Sequence, residues 1–199
     1  LELMEKKVLI EPFKIADHWQ VDAGYDWGKR NPFSYHDYTI DGDGGIYAVY
    51  EAYGPGVSIE AQAEMIKRSP YYKRVHSRYA DPSIWTETQA VKDGSYTSFQ
   101  QIFADLGIHF VKGRRDDIAA VERLTLMLYD HEWDEARGDY VKVPKAEPVF
   151  KIFKSCPNLW TELVGLRWAD FSATVEESRG KKEELVQVDN HAWDDLKYF

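Results

Sequence analysis

Apolar and polar positions follow a strand-like rhythm through the first quarter of the chain. Trp19–Asp26, Phe33–Ile40 and Ile46–Tyr53 are rich in Tyr, Val and Ile and read as three strands. The last two are separated by Asp41-Gly42-Asp43-Gly44-Gly45, a strong hairpin signal, so the three form an antiparallel meander. It resembles the start of a calcium loop, but Ala52 stands where that loop needs its glutamate, so it reads as a turn. The period then lengthens. Ser58 reads as an N-cap, with Ala61, Met65 and Ile66 on one helical face before Pro70. Arg74–Tyr79 returns to a strand and runs into Asp81-Pro82. Thr97 or Ser98 caps a helix carrying Phe99, Ile102, Phe103 and Leu106; Gly107 stops it and Ile108–Val111 follows as a short strand. Asp116 or Asp117 opens a longer helix with Ile118, Val121, Leu124 and Leu128 at helical spacing. Residues 132–147 read as an insertion with turns, Val149–Phe153 as a strand and Asn158–Leu166 as a helix. Trp168–Glu176 and Glu184–Val188 flank Ser178-Arg179-Gly180-Lys181-Lys182 as a projecting hairpin, and Asp189 caps a terminal helix.

The order βββαβαβα is that of an α/β, RNase H-like mixed sheet: an antiparallel meander extended by parallel strands, flanked by helices, with an added β-hairpin near the C-terminus. Residues 1–17 read as an arm or linker, and 18–199 as one domain. A chain of 199 residues with 44% hydrophobic positions can build a real core, to which seven Trp and thirteen Tyr add much area. A net charge of −9 argues against tight sequence-independent DNA binding through overall charge, leaving local basic clusters as the route. Cys156 is the sole cysteine, which excludes a disulfide framework and a cysteine-rich zinc site. No apolar run approaches the roughly 18 residues of a membrane span, and no signal peptide opens the chain.

Three short segments carry candidate chemistry. Asp26 ends the first strand within Gly24-Tyr25-Asp26-Trp27-Gly28, and Asp81 ends the fourth within Tyr79-Ala80-Asp81-Pro82-Ser83. On the last helix His191, Asp194, Asp195 and Tyr198 fall at spacings of three and four, on one face. Taken singly, each acid is equally an ordinary turn or surface aspartate, and His191 a core histidine. Their coincidence at the elements where such a sheet gathers carboxylates points to a site for divalent cations. Lys29, Arg30, Lys112, Arg114, Arg115, Arg179, Lys181 and Lys182 form local basic clusters that suit phosphate contacts, although surface charge alone explains them equally.

These motifs, with Lys151-Ile152-Phe153, Cys156-Pro157-Asn158 and Glu162-Leu163, resemble the C-terminal nuclease domain of the large terminase subunit of tailed bacteriophages over roughly residues 19–199. The resemblance implies a two-metal-ion endonuclease that cuts concatemeric viral DNA during genome packaging in the host cell cytoplasm. It implies Asp26, Asp81 and Asp194 as catalytic metal ligands, His191 as an accessory catalytic histidine, and Mg²⁺ or Mn²⁺ as the ions. Tandem acids occur at the helix position in that family, so Asp195 is a second candidate ligand; the His-x-x-Asp spacing favours Asp194. Implied partners are double-stranded DNA and, in the full protein, an ATPase motor domain, the small terminase subunit and the portal. No G-x-x-x-x-G-K-[ST] loop occurs here, so this chain is expected to be a monomeric nuclease fragment without ATPase activity. A junction-resolvase or transposase-type core on the same fold, and a non-catalytic binding module, are the alternative readings.

Overall fold

Local signals account for the central sheet. The structure, a computed structural model, describes residues 2–28, 31–90, 96–114, 116–166 and 190–199. Strands β2 (Gln20–Asp26), β3 (Pro32–Ile40) and β4 (Ile46–Pro55) form the expected antiparallel meander. Asp41 fixes its hairpin by accepting bonds from the Asp43 and Gly45 amides at 2.9 and 2.7 Å, and Gly44 takes a φ of 85° that favours glycine. Three helices start at the expected oxygen caps. Ser58 caps α2 (Ile59–Lys67), Ser98 caps α3 (Phe99–Asp105), and Asp116 caps α4 (Asp117–Leu128).

Seven strands make one mixed sheet. To the meander are added β1 (Leu9–Ile10), β5 (Val75–Ala80), β8 (Val111–Lys112) and β11 (Phe150–Phe153), in the order β1-β11-β4-β3-β2-β5-β8. The added pairings are all parallel. Helices cover both faces, so the central strands are buried on either side and polar residues inside them must be paired. On one face Ala23, Tyr25, Phe33 and Tyr35 pack against Ala63 and Ile66 of α2 and Phe103 of α3. On the other, Val21, Tyr38, Ala48 and Phe150 pack against Leu128 of α4, Leu159 of α5 (Pro157–Gly165) and Ala192 of the terminal helix α6 (His191–Tyr198).

Several boundaries differ from the sequence expectation. The segment read as an arm is instead α1 (Glu2–Val8) followed by β1, which pairs Leu9 with Ile152 and Ile10 with Phe153. Met4, Val8 and Ile15 are core residues, because the β11 edge and the groove beside it need covering. The insertion at 132–147 is a two-stranded antiparallel hairpin, β9 (Tyr129–Asp134) with β10 (Asp139–Pro144). A second small hairpin, β6 (Glu87–Ala90) with β7 (Tyr96–Ser98), was not anticipated. Of the expected 108–111 strand only Val111 pairs with β5, joined by Lys112 beyond its end; Ile108 is used for core packing. Helix α6 has Asn190 at its N-cap position, and Asn190 makes no side-chain capping bond; the expected cap Asp189 and the 168–188 hairpin lie outside the described residues.

Candidate metal and nucleic-acid site

Side-chain alternation along two strands decides what α6 meets. On β2, Ala23 and Tyr25 face α2 and α3, so Gly24 and Asp26 face α6. Gly24 permits the helix to approach: a Cβ there would lie 2.1 Å from the carbonyl oxygen of Asp195. Two residues on, His191 Nδ1 meets Asp26 Oδ2 at 3.0 Å. Parallel pairing puts Ala80 beside Tyr25, and the Asp81 amide donates to the Tyr25 carbonyl at 3.4 Å. Asp26 and Asp81 thus leave neighbouring strands at the same edge of the sheet.

Tyr198, one helical turn past Asp194, holds Asp81. Its hydroxyl donates to Asp81 Oδ2 at 2.6 Å, and it feels the charges of Asp194, Asp26 and Asp81. Burial and the Asp81 bond push this phenol far above its ordinary range, so it stays a donor. Asp81 also accepts from the Ser83 amide at 2.5 Å, which fixes the Asp-Pro turn. Asp194 and Asp117 of α4 share Lys197, whose ammonium lies 2.7 Å from each. Burial would lower the Lys197 pKa, but the two carboxylates raise it.

Burial dominates the electrostatics. Asp26 is 8% exposed. Desolvation pushes its carboxyl up to about 7; the His191 bond pulls the other way, and the charges of Asp194 and Asp195 add to the rise. Asp194 is raised too, by burial first, with Lys197 opposing. His191 is raised chiefly by its bond to Asp26, against the lowering effect of burial. Two buried carboxyls are thus held above their ordinary range, each only partly offset by its own partner, His191 for Asp26 and Lys197 for Asp194. Hard oxygen donors of this kind suit Mg²⁺ or Mn²⁺. Among the described residues, however, no three His, Cys, Asp or Glu side chains are disposed as a ready-made cation cage.

Asp195 is placed differently from its neighbour. It is fully buried and points into β3, accepting bonds from Ser34 Oγ, from His36 Nδ1 at 2.6 Å and from Tyr38 Oη at 2.6 Å. His36 reaches on through Nε2 to Glu51 at 2.8 Å. Burial alone would lower the His36 pKa, yet the Asp195 and Glu51 carboxylates on either side push it up to about 10. Glu51 in turn accepts the Asn158 and Leu159 amides at the start of α5, each at 3.1 Å. Glu162 of α5 accepts the Ala192 and Trp193 amides at the start of α6, at 2.5 and 3.4 Å. Both helices are therefore capped by carboxylates from other elements. Sequence reasoning offered Asp195 as a second candidate ligand and placed Glu162 in a motif, but missed the network that Ser34, His36, Tyr38 and Glu51 build with Asp195. Its only local signal is Ser34-x-His36-x-Tyr38, three polar groups on one side of a strand otherwise fit for burial.

Of the expected basic contacts, Lys112 and Arg114 fall beside this site, on the rim of β8. Lys29, Arg30, Arg115, Arg179, Lys181 and Lys182 lie outside the described residues. No described helix is long and apolar enough to cross a membrane.

No protein-family model and no curated protein sequence matches the chain. Solved structures do. The nuclease domain of the P22 large terminase aligns with 98% of this chain and 86% of its own, at a TM-score of 0.65 and 14% identity. The large terminase of a thermophilic bacteriophage, in complex with ATP-gamma-S, aligns at a TM-score of 0.66 and 13% identity. That alignment also covers 98% of this chain but only 42% of the thermophilic phage protein. At such identities the likeness is one of architecture, and the chain carries the fold of large-terminase nuclease domains.

Proposed function

We propose that this chain is a metal-dependent DNA endonuclease of the large-terminase type, cutting concatemeric viral DNA during packaging. What supports the reading is that the terminal helix links Asp26 through His191 and Asp81 through Tyr198, with Asp194 on the same helix, in a fold shared with terminase nuclease domains. Asp26, Asp81 and Asp194 are the residues that would hold the ions. Divalent cations held by these residues would supply an activated water and charge neutralisation at the leaving 3′ oxygen. His191 holds a proton against Asp26 and sets the orientation of that carboxylate. Tyr198 does the same for Asp81. Asp195, with both oxygens occupied by β3, anchors the helix that presents Asp194, and we assign it to positioning rather than ligation.

The same reading gives the chain double-stranded DNA as substrate and an ATPase motor, a small subunit and a portal as partners of the whole protein, in the host cytoplasm. Lys112 and Arg114 are assigned to phosphate contacts, with Lys29, Arg30, Arg115, Arg179, Lys181 and Lys182 as further contacts.

Supercoiled plasmid incubated with Mn²⁺ should be nicked and linearised, and EDTA should stop the reaction. Asp26→Ala and Asp81→Ala should each lower cleavage by at least the roughly 10² to 10³ typical of losing a key electrostatic group. Calorimetric titration with Mn²⁺ should show weaker binding in both variants. Cleavage that survives in the Asp26→Ala/Asp81→Ala protein would remove these residues from the reaction.

A further inference from the structure

We infer that a second, basic cleft beside the acids is a subsite for a DNA backbone phosphate next to the scissile one, with Arg123 as its unassigned member. This inference rests on the nuclease reading and sharpens it. The cleft has a volume of about 340 Å³ and is walled by Lys112, Gly113, Arg114, Arg123, Lys197 and Tyr198. With Tyr79 and Phe199 completing the wall, four of the eight lining residues are cationic and none is acidic, in a molecule whose net charge is −9.

The cations are not equivalent. Lys197 is committed to Asp117 and Asp194, and Lys112 lies 5.6 Å over the Trp85 ring. Among the described residues no carboxylate forms an ion pair with Arg114 or Arg123, and both are exposed. Two guanidiniums from different elements, one after β8 and one on α4, therefore face the same cavity with planar donor forks available to an oxyanion.

The cleft and the acids share a wall. Gly113 donates its amide to the Ala80 carbonyl at 2.8 Å, one residue before Asp81. A Cβ on Gly113 would come within 2.6 Å of Tyr198 Cβ, so only glycine lets this loop lie flat on the tyrosine whose hydroxyl holds Asp81. Lys197 likewise borders the cleft while its ammonium holds Asp194. An anion seated between Arg114 and Arg123 is thus one side chain away from the carboxylates. The flanking phosphates of a strand whose scissile group sits among those carboxylates meet that requirement.

The test is the salt dependence of DNA binding in EDTA, read by fluorescence anisotropy on a labelled duplex. Each phosphate contact contributes about 0.9 to the slope of log K against log salt. Arg114→Ala/Arg123→Ala should therefore reduce the slope by about 1.8 and weaken binding by roughly one to two orders of magnitude at about 0.1 M salt. Arg123→Lys should recover the slope, since charge is restored. Lys6→Ala, at the opposite edge of the sheet and paired with Glu2, should leave it unchanged. With Mn²⁺, Arg123→Ala should raise KM for plasmid while largely retaining kcat. A wild-type slope in the double variant overturns the cleft assignment alone. Absence of DNA binding by the unaltered chain overturns the nuclease reading with it.

Discussion

At position 26 a turn aspartate and a metal-ligating aspartate make opposite demands on stability. A turn aspartate stabilises through local hydrogen bonds, and replacing it weakens the fold. Asp26 is instead buried beside other acids, with its carboxyl raised from 3.8 to about 7. Such a group binds its proton more tightly in the folded chain than in the unfolded one, so stability falls as pH rises from about 4 to 7. Above about pH 7 the penalty is complete, on the order of 4 kcal/mol for a shift of this size. Asp26→Asn should therefore raise the thermal midpoint at about pH 8, leave it nearly unchanged near pH 3.5, and abolish cleavage. Thermal unfolding of the two proteins across that range decides the matter: a midpoint lowered at the alkaline end would return Asp26 to the status of a turn residue. Sequence alone marked this position because glycines flank an acid at a strand end. It offered no view of the burial, which depends on a helix 165 residues away.

Among the elements, α6 carries the most chemistry and has the weakest intrinsic reasons to form. It spans only eight residues, too short to be stable alone in water. Its N-cap residue Asn190 makes no side-chain capping bond, and the Glu162 carboxylate of α5 takes up the Ala192 and Trp193 amides. Asp195 then fastens the middle of the helix to β3, and Lys197 ties its end to Asp117 of α4. Each tie comes from a different element, so the position of Asp194 and His191 reports on the integrity of all three. Glu162→Ala should cost about 1–2 kcal/mol, the usual range for losing a strong cap, and should lower cleavage without touching an ion. Hydrogen exchange supplies the specific readout, because the Ala192 and Trp193 amides lose their acceptor. Unchanged protection of those two amides would mean that Glu162 caps α6 in name only. The meander, by contrast, was legible residue by residue, since strand period and the Asp41–Gly45 turn act over a few positions. The Glu51–His36–Asp195 chain was not, since it links residues up to 159 positions apart and nothing near His36 announces a partner.

For the molecule as a whole, the same distinction between local and distant signals explains the one segment whose role changed most. Residues 1–17 carry no strong period and read as an arm, yet they complete the sheet at the edge opposite the site. Without β1, the β11 strand Phe150–Phe153 would present unpaired backbone groups at an apolar edge, the usual template for aggregation. Met4 and Val8 are 4% and 0% exposed, and burial of such side chains is worth about 1.5–3 kcal/mol each. Their joint loss, roughly 3–6 kcal/mol, is a large part of the roughly 5–15 kcal/mol that holds a typical domain. The consequence reaches the acids, because β11 leads directly into α5, whose Glu162 caps α6. Removing residues 1–10 should therefore lower the urea midpoint steeply, promote association at high protein concentration, and depress cleavage although no site residue is deleted. The experiment compares urea unfolding and plasmid nicking for residues 11–199 and for the full chain. Equal midpoints and equal rates would restore the arm; a fall in both makes the N-terminal segment part of the machinery that holds the site in shape.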